Sequence, residues 1–117
     1  MDISVFTEEM KQKAEESIKD SISRLESEFS NDEISFNNAR SSEFNRLLSC
    51  CLDVLGKYQQ LVDTNVRVYN PVTFKYMNGI EQLNLHYHIE IAPLLKEFSD
   101  KSDELYFQIF PQRNNED

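Results

Sequence analysis

His86, His88 and Glu90 form the one regularly spaced group of ligand-type side chains in this 117-residue chain. In a strand, residues two apart share a face, so all three would point the same way. Two imidazoles and a carboxylate on one face make a set that holds zinc or iron. In a helix the set comes apart, because His86 and Glu90 stay one turn apart while His88 turns away. The expectation is no metal and no cofactor, with His86, His88 and Glu90 the only candidates for a metal site. A second possible chemistry joins Cys50 or Cys51 to one of the histidines as a Cys–His nucleophile. Nothing beside the cysteines resembles a known nucleophile setting. Serine triads, phosphate loops, H-E-x-x-H and C-x-x-C do not occur, and two glycines are too few for a glycine-rich phosphate cradle. The sequence therefore points to a protein that is not an enzyme, and no family signature is recognised in it.

Charge is the stronger signal. The formal net charge is −9, and its distribution is uneven. Residues 1–33 hold ten acids and four bases, residues 34–70 three and four, and residues 71–117 eight and four. The two ends are acidic and the middle is not. Such a field repels nucleic acid and anionic lipid and attracts cationic partners, although acidity also serves plain solubility. Arg40, Arg46, Lys57, Arg67 and Lys75 are interspersed with Tyr58, Tyr69, Phe74 and Tyr76, a mixture that can stack and pair with single strands. Their scatter and the overall acidity argue against nucleic acid, and the tyrosines read as core-edge packing. Adjacent cysteines on a helix point about 100° apart, so Cys50 and Cys51 read as small hydrophobes of a reducing compartment. The start has no basic and apolar leader, and no apolar run suits a bilayer. Cytoplasm without membrane contact is the expectation.

Hydrophobic spacing organises these groups. Phe6, Met10, Ala14, Ile18, Ile22, Leu25 and Phe29 predict a helix over residues 6–29, with Thr7 or Ser4 as its cap. The narrow row leaves Glu8, Glu9, Glu15, Glu16 and Asp20 on the wet side. Helical spacing offers them partial neutralisation through Glu9–Lys13, Glu15–Lys19 and Asp20–Arg24. Residues 30–33 read as a loop and residues 41–62 as a broad-faced central helix. Beyond residue 63 two readings compete. Asn70-Pro71 is a turn or a helix start, and Asn78-Gly79 is a helix stop or a hairpin turn. Residues 83–91 alternate as a strand would, yet Ile80, Leu83, Tyr87, Ile91, Leu94, Leu95 and Phe98 share a helical face that crosses Pro93. A short helix over 100–110, capped by Ser99 or Asp100, ends at Pro111.

The fold expected is all-α, a bundle of four to five helices over residues 1–111 with a frayed polar tail at 112–117. The alternative is α+β, with two N-terminal helices packed on a small antiparallel sheet from residues 65–110. The function expected is a small acidic binding protein that covers a basic surface of a cationic protein partner, in the manner of an inhibitor or immunity protein. Its contacts would be Glu8, Glu9, Glu15, Glu16 and Asp20, then Asp100, Asp103 and Glu104. A metal-binding protein built on His86, His88 and Glu90 is one alternative. A self-assembling helical scaffold is another, and the narrow apolar row of the first helix also allows a homodimer.

Overall fold

The computed structural model describes residues 2–111; the tail expected at 112–117 lies outside them. Three helices and one hairpin follow in the order α1 (Ile3–Glu28), α2 (Glu33–Gln59), β1 (Arg67–Asn70), β2 (Lys75–Asn78) and α3 (Gly79–Ile109). The chain is mostly helical, with three helices rather than four or five. A small antiparallel sheet is present, as the α+β alternative holds, but it covers only residues 67–78. All three helices pack against one another. Together they form an up-down-up rod of 57 × 27 × 18 Å with the hairpin at one end.

Each helix start is set by a short polar side chain that takes up a free backbone N–H. Asp2, rather than Ser4 or Thr7, caps α1 and accepts from Ser4 N at 3.0 Å. Asp32 caps α2 by accepting from Ser35 N at 3.0 Å. The stretch read as a loop is thus half turn and half cap, and α2 begins eight residues earlier than residue 41. The spacing missed this because Ile34 is 72% exposed and only Phe36 is buried in that first stretch. Asn78 caps α3, accepting from Glu81 N at 2.9 Å, so Asn78-Gly79 is a helix start and neither a stop nor a turn. Gly79 is needed for close approach, since a Cβ there would sit 2.6 Å from Val62 Cβ.

The alternating run 83–91 is helical. Leu83, Tyr87 and Ile91 are buried at intervals of four, while Ile89 between them is 48% exposed. The helix also passes through Pro93 and absorbs the segment expected as a separate 100–110 helix. Proline removes one backbone hydrogen bond and crowds the preceding turn. Pro93 lies on the exposed side, and Ile89, whose carbonyl it frees, is exposed as well, so the lost bond falls on the solvent side of the helix.

Two apolar clusters fill the bundle. The larger joins Phe6, Met10, Ala14 and Ile18 of α1 to Leu47–Tyr58 of α2 and Leu83–Phe98 of α3. The smaller joins Leu25, Phe36 and Leu105 at the end away from the hairpin. Between them each helix contributes a buried polar residue instead: Ser21, Glu43 and Ser102. Glu43 is 6% exposed and accepts from Ser21 Oγ at 3.2 Å and from Arg24 Nη2 at 2.9 Å, with Arg24 Nε completing a fork. The Arg24 fork holds the Glu43 carboxyl below its ordinary pKa against the opposing effect of burial. Ser102 Oγ closes on the Ser99 carbonyl at 3.1 Å.

Removing one partner of a buried ion pair leaves the other charge uncompensated, usually a loss of 3–5 kcal/mol. Arg46, 3.6 Å from Glu43, softens that loss here. Arg24→Met is expected to lower unfolding free energy by about 2–3 kcal/mol, read from urea midpoints. Adding Glu43→Leu is expected to recover most of it.

Candidate functional site

α3 separates the histidine group. His86 is half-buried and His88 is exposed on another side of the helix. Glu90 is taken by Lys11 of α1 across a 3.1 Å ion pair. Among the described residues no three His, Cys, Asp or Glu side chains stand close enough to hold a metal ion.

The cysteines sit on α2. Cys51 is fully buried in the larger cluster, and burial, followed by the neighbouring Cys50, pushes its thiol up to about 11. Burial, then Asp53, also raises the Cys50 thiol. Both residues are biased away from the thiolate that a nucleophile requires. The α3 group that feels Cys51 is Tyr87, not a histidine.

The scattered cations are engaged. Arg40 binds Asp103, Arg46 approaches Glu43, and Lys57 bonds Glu9 at 2.9 Å. Arg67 lies 3.6 Å from Glu81. Of the five, only Lys75 has no ion pair within 4 Å among the described residues. Arg40, Arg46 and Lys57 lie on α2, whereas Arg67 and Lys75 share the hairpin with the exposed Tyr69, Phe74 and Tyr76.

The acidic residues divide into two groups. Glu9 accepts from Lys57 and from Tyr58 Oη at 3.2 Å, and the Lys57 bond is the main reason its carboxyl lies below the usual range. Asp100 pairs with Lys96 at 2.7 Å, and Asp103 with Arg40. Glu8, Glu15, Glu16, Asp20 and Glu104 are exposed with no ion pair within 4 Å among the described residues. The neutralising pairs expected along α1 do not form. Arg24 turns inward to Glu43, and Glu9 turns to α2. On a helix of 3.6 residues per turn, Glu8, Glu15, Glu16 and Asp20 span about 140° directly opposite the buried stripe. That outer face therefore keeps four acids without ion pairs among the described residues, with the exposed Lys19 interspersed.

Sequence reasoning missed the hairpin end. Leu61, Val66, Val68, Tyr69, Val72, Phe74 and Tyr76 are all exposed large hydrophobics, Phe74 at 77%. Tyr69 and Tyr76 pair across the strands with ring centroids 5.4 Å apart. Phe74 has φ 59°, a left-handed conformation that costs an L-residue roughly 1–2 kcal/mol. The available signal was the density of β-branched and aromatic residues from 66 to 76 around Asn70-Pro71. Asn70 is the one buried residue of the hairpin, its Oδ1 accepting from Val72 N at 2.8 Å and Thr73 N at 3.2 Å to tie the turn.

No helix among the described residues is long and apolar enough to cross a membrane. No protein family matches the chain, and no curated protein and no solved structure is detectably similar to it. The class defined by the coordinates alone is a three-helix up-down-up rod with an inserted hairpin between its second and third helices.

The thiol environment is open to direct measurement. With a neutral-pH thiol reagent, native protein is expected to leave Cys51 unmodified over hours and to label Cys50 slowly, while urea-unfolded protein labels both within minutes.

Proposed function

We propose that this chain is a non-enzymatic binding protein whose α1 outer face covers a basic surface of a protein partner, as inhibitors and immunity proteins do. The observation that supports this reading is the inward turn of Arg24 and the cross-helix engagement of Glu9. These leave Glu8, Glu15, Glu16 and Asp20 without ion pairs within 4 Å among the described residues, on an exposed, regular surface where Lys19 is interspersed. A rigid helix presents those carboxylates at fixed spacing, so little side-chain or backbone ordering opposes binding. Unscreened negative charge speeds encounter with a cationic partner and disfavours acidic ones. Glu104 is available as a secondary contact, whereas Glu9, Asp100 and Asp103 already hold bases of this chain. The raised thiols and the separated histidines supply no competing chemistry.

The test is affinity capture with wild-type bait and with the triple variant Glu15→Lys/Glu16→Lys/Asp20→Lys, each eluted by rising salt. A cationic protein retained by wild type and released by salt is expected to bind the variant at least about tenfold more weakly, a change of about 1.4 kcal/mol. Equal retention by both baits removes the acidic face from the account.

A further inference from the structure

The hairpin end carries a protrusion and a recess of matching chemistry. Residues 64–80 contain Arg67 and Lys75 and no acid, a net of +2 on a chain of −9. The tip bears Phe74, 77% exposed, with Lys75 next to it. At the base lies an apolar groove of about 270 Å³ lined by Ile3, Leu61, Val62, Val66 and Val68, with Asp63 also on its wall. A cavity of roughly 150 Å³ is enough for benzene, so this groove has room for a phenyl ring. Tip and base are separated by a four-residue strand, about 13 Å.

We infer that a second copy of this chain covers this end, with the two hairpins antiparallel and each Phe74 seated in the other copy's basal groove. A two-fold axis delivers both insertions at once, because each copy owns one knob and one groove, and the contact closes at two. The same operation brings Lys75 of each copy toward Asp63 of the other. Lys75 has no ion pair within 4 Å among the described residues. Asp63 accepts only a local bond from Asn65 N at 2.8 Å. β1 is the outer strand of the ribbon, since β2 is the one in contact with α3, and its free edge then lies along the mating hairpin. On the groove side, the 77% exposed Phe74 and the exposed Leu61, Val66 and Val68 form the apolar contact. Tyr69 and Tyr76 lie on the ribbon's other face, so the interface is smaller than the roughly 800 Å² per side of a standard one. With the flanking Asp63 and Glu81 counted against Arg67 and Lys75, residues 63–81 carry no net charge, so two copies meet at this end without the repulsion between their acidic surfaces. The Glu15–Asp20 stretch of α1 stays open, so this dimer does not depend on the acidic-face reading.

Sedimentation velocity over a concentration series tests the arrangement. Wild type is expected to be a dimer at tens of micromolar. Phe74→Asn, a residue better suited to the left-handed φ, is expected to remain folded by circular dichroism and to sediment as a monomer. Lys75→Glu is expected to weaken the dimer at least about tenfold, and Lys75→Glu with Asp63→Lys to restore it. Monomeric wild type at every concentration, or a Phe74→Asn dimer as tight as wild type, overturns the inference. So does open-ended growth beyond the dimer, and failure of the charge swap overturns the Lys75–Asp63 pairing that sets its geometry.

Discussion

Glu43 sits where each helix buries a polar residue, with Ser21 and Ser102 on the other two, and its carboxylate takes the inner end of Arg24. Above and below that level the core is apolar, with Phe6 to Ile18 facing one cluster and Leu25, Phe36 and Leu105 forming the other. A one-turn slip of α1 against α2 would bury Glu43 without Arg24 and Ser21, and burying an unpaired carboxylate is far costlier than losing a few contacts. The apolar stripes alone fix register less firmly, because a row spaced 4-4-4-3-4 fits several offsets almost equally well. The buried pair thus acts chiefly on specificity of packing, a role for which polar groups in helical cores are well suited.

The same interaction shapes the surface. Arg24 stands one turn from Asp20, at the spacing that makes a surface ion pair. Such a pair is worth a few tenths of a kcal/mol, far less than satisfying a buried carboxylate, so the guanidinium turns inward. Asp20 is left without an ion pair within 4 Å among the described residues as a consequence of how the interior is paired. Lys57 acts similarly at the other end, holding Glu9 and donating its charge to the α1–α2 seam.

The helices were legible in the sequence wherever burial followed one stripe. α1 was readable almost whole, and so was the second half of α2 from Phe44 to Tyr58. The first turns of α2 were not, because Ile34 faces water and Asp32 reads equally as loop or cap. The helical face from Ile80 to Phe98 runs through Pro93, because a breaker on the wet side of a well-buried stripe costs one hydrogen bond without ending the helix. The competing alternation across 83–91 arose because Ile89, an apolar residue, is exposed between buried neighbours, and the break expected before residue 100 does not occur. For the candidate sites, spacing placed Glu8, Glu15, Glu16 and Asp20 facing outward as the structure has them, whereas Glu9 turns to Lys57 and Tyr58 of α2. It could not reveal that Arg24 would abandon them, since that depends on Glu43, 19 residues away. The hairpin was legible only as the alternative of a small sheet somewhere in 65–110, because its apolar residues stay outside the core and no pattern of burial fixed its bounds.

The inward pairing of Arg24 sets the packing register and draws a base away from Asp20 on the outer face, and the ionisation of Glu43 reports it directly. Side-chain carboxyl ¹³C shifts followed by NMR from neutral to acidic pH resolve that residue from the other carboxylates. The account predicts that Glu43 remains ionised below 4.5, its ordinary value, and takes up its proton only at lower pH. A titration at or above 4.5, as burial without Arg24 would give, would contradict it.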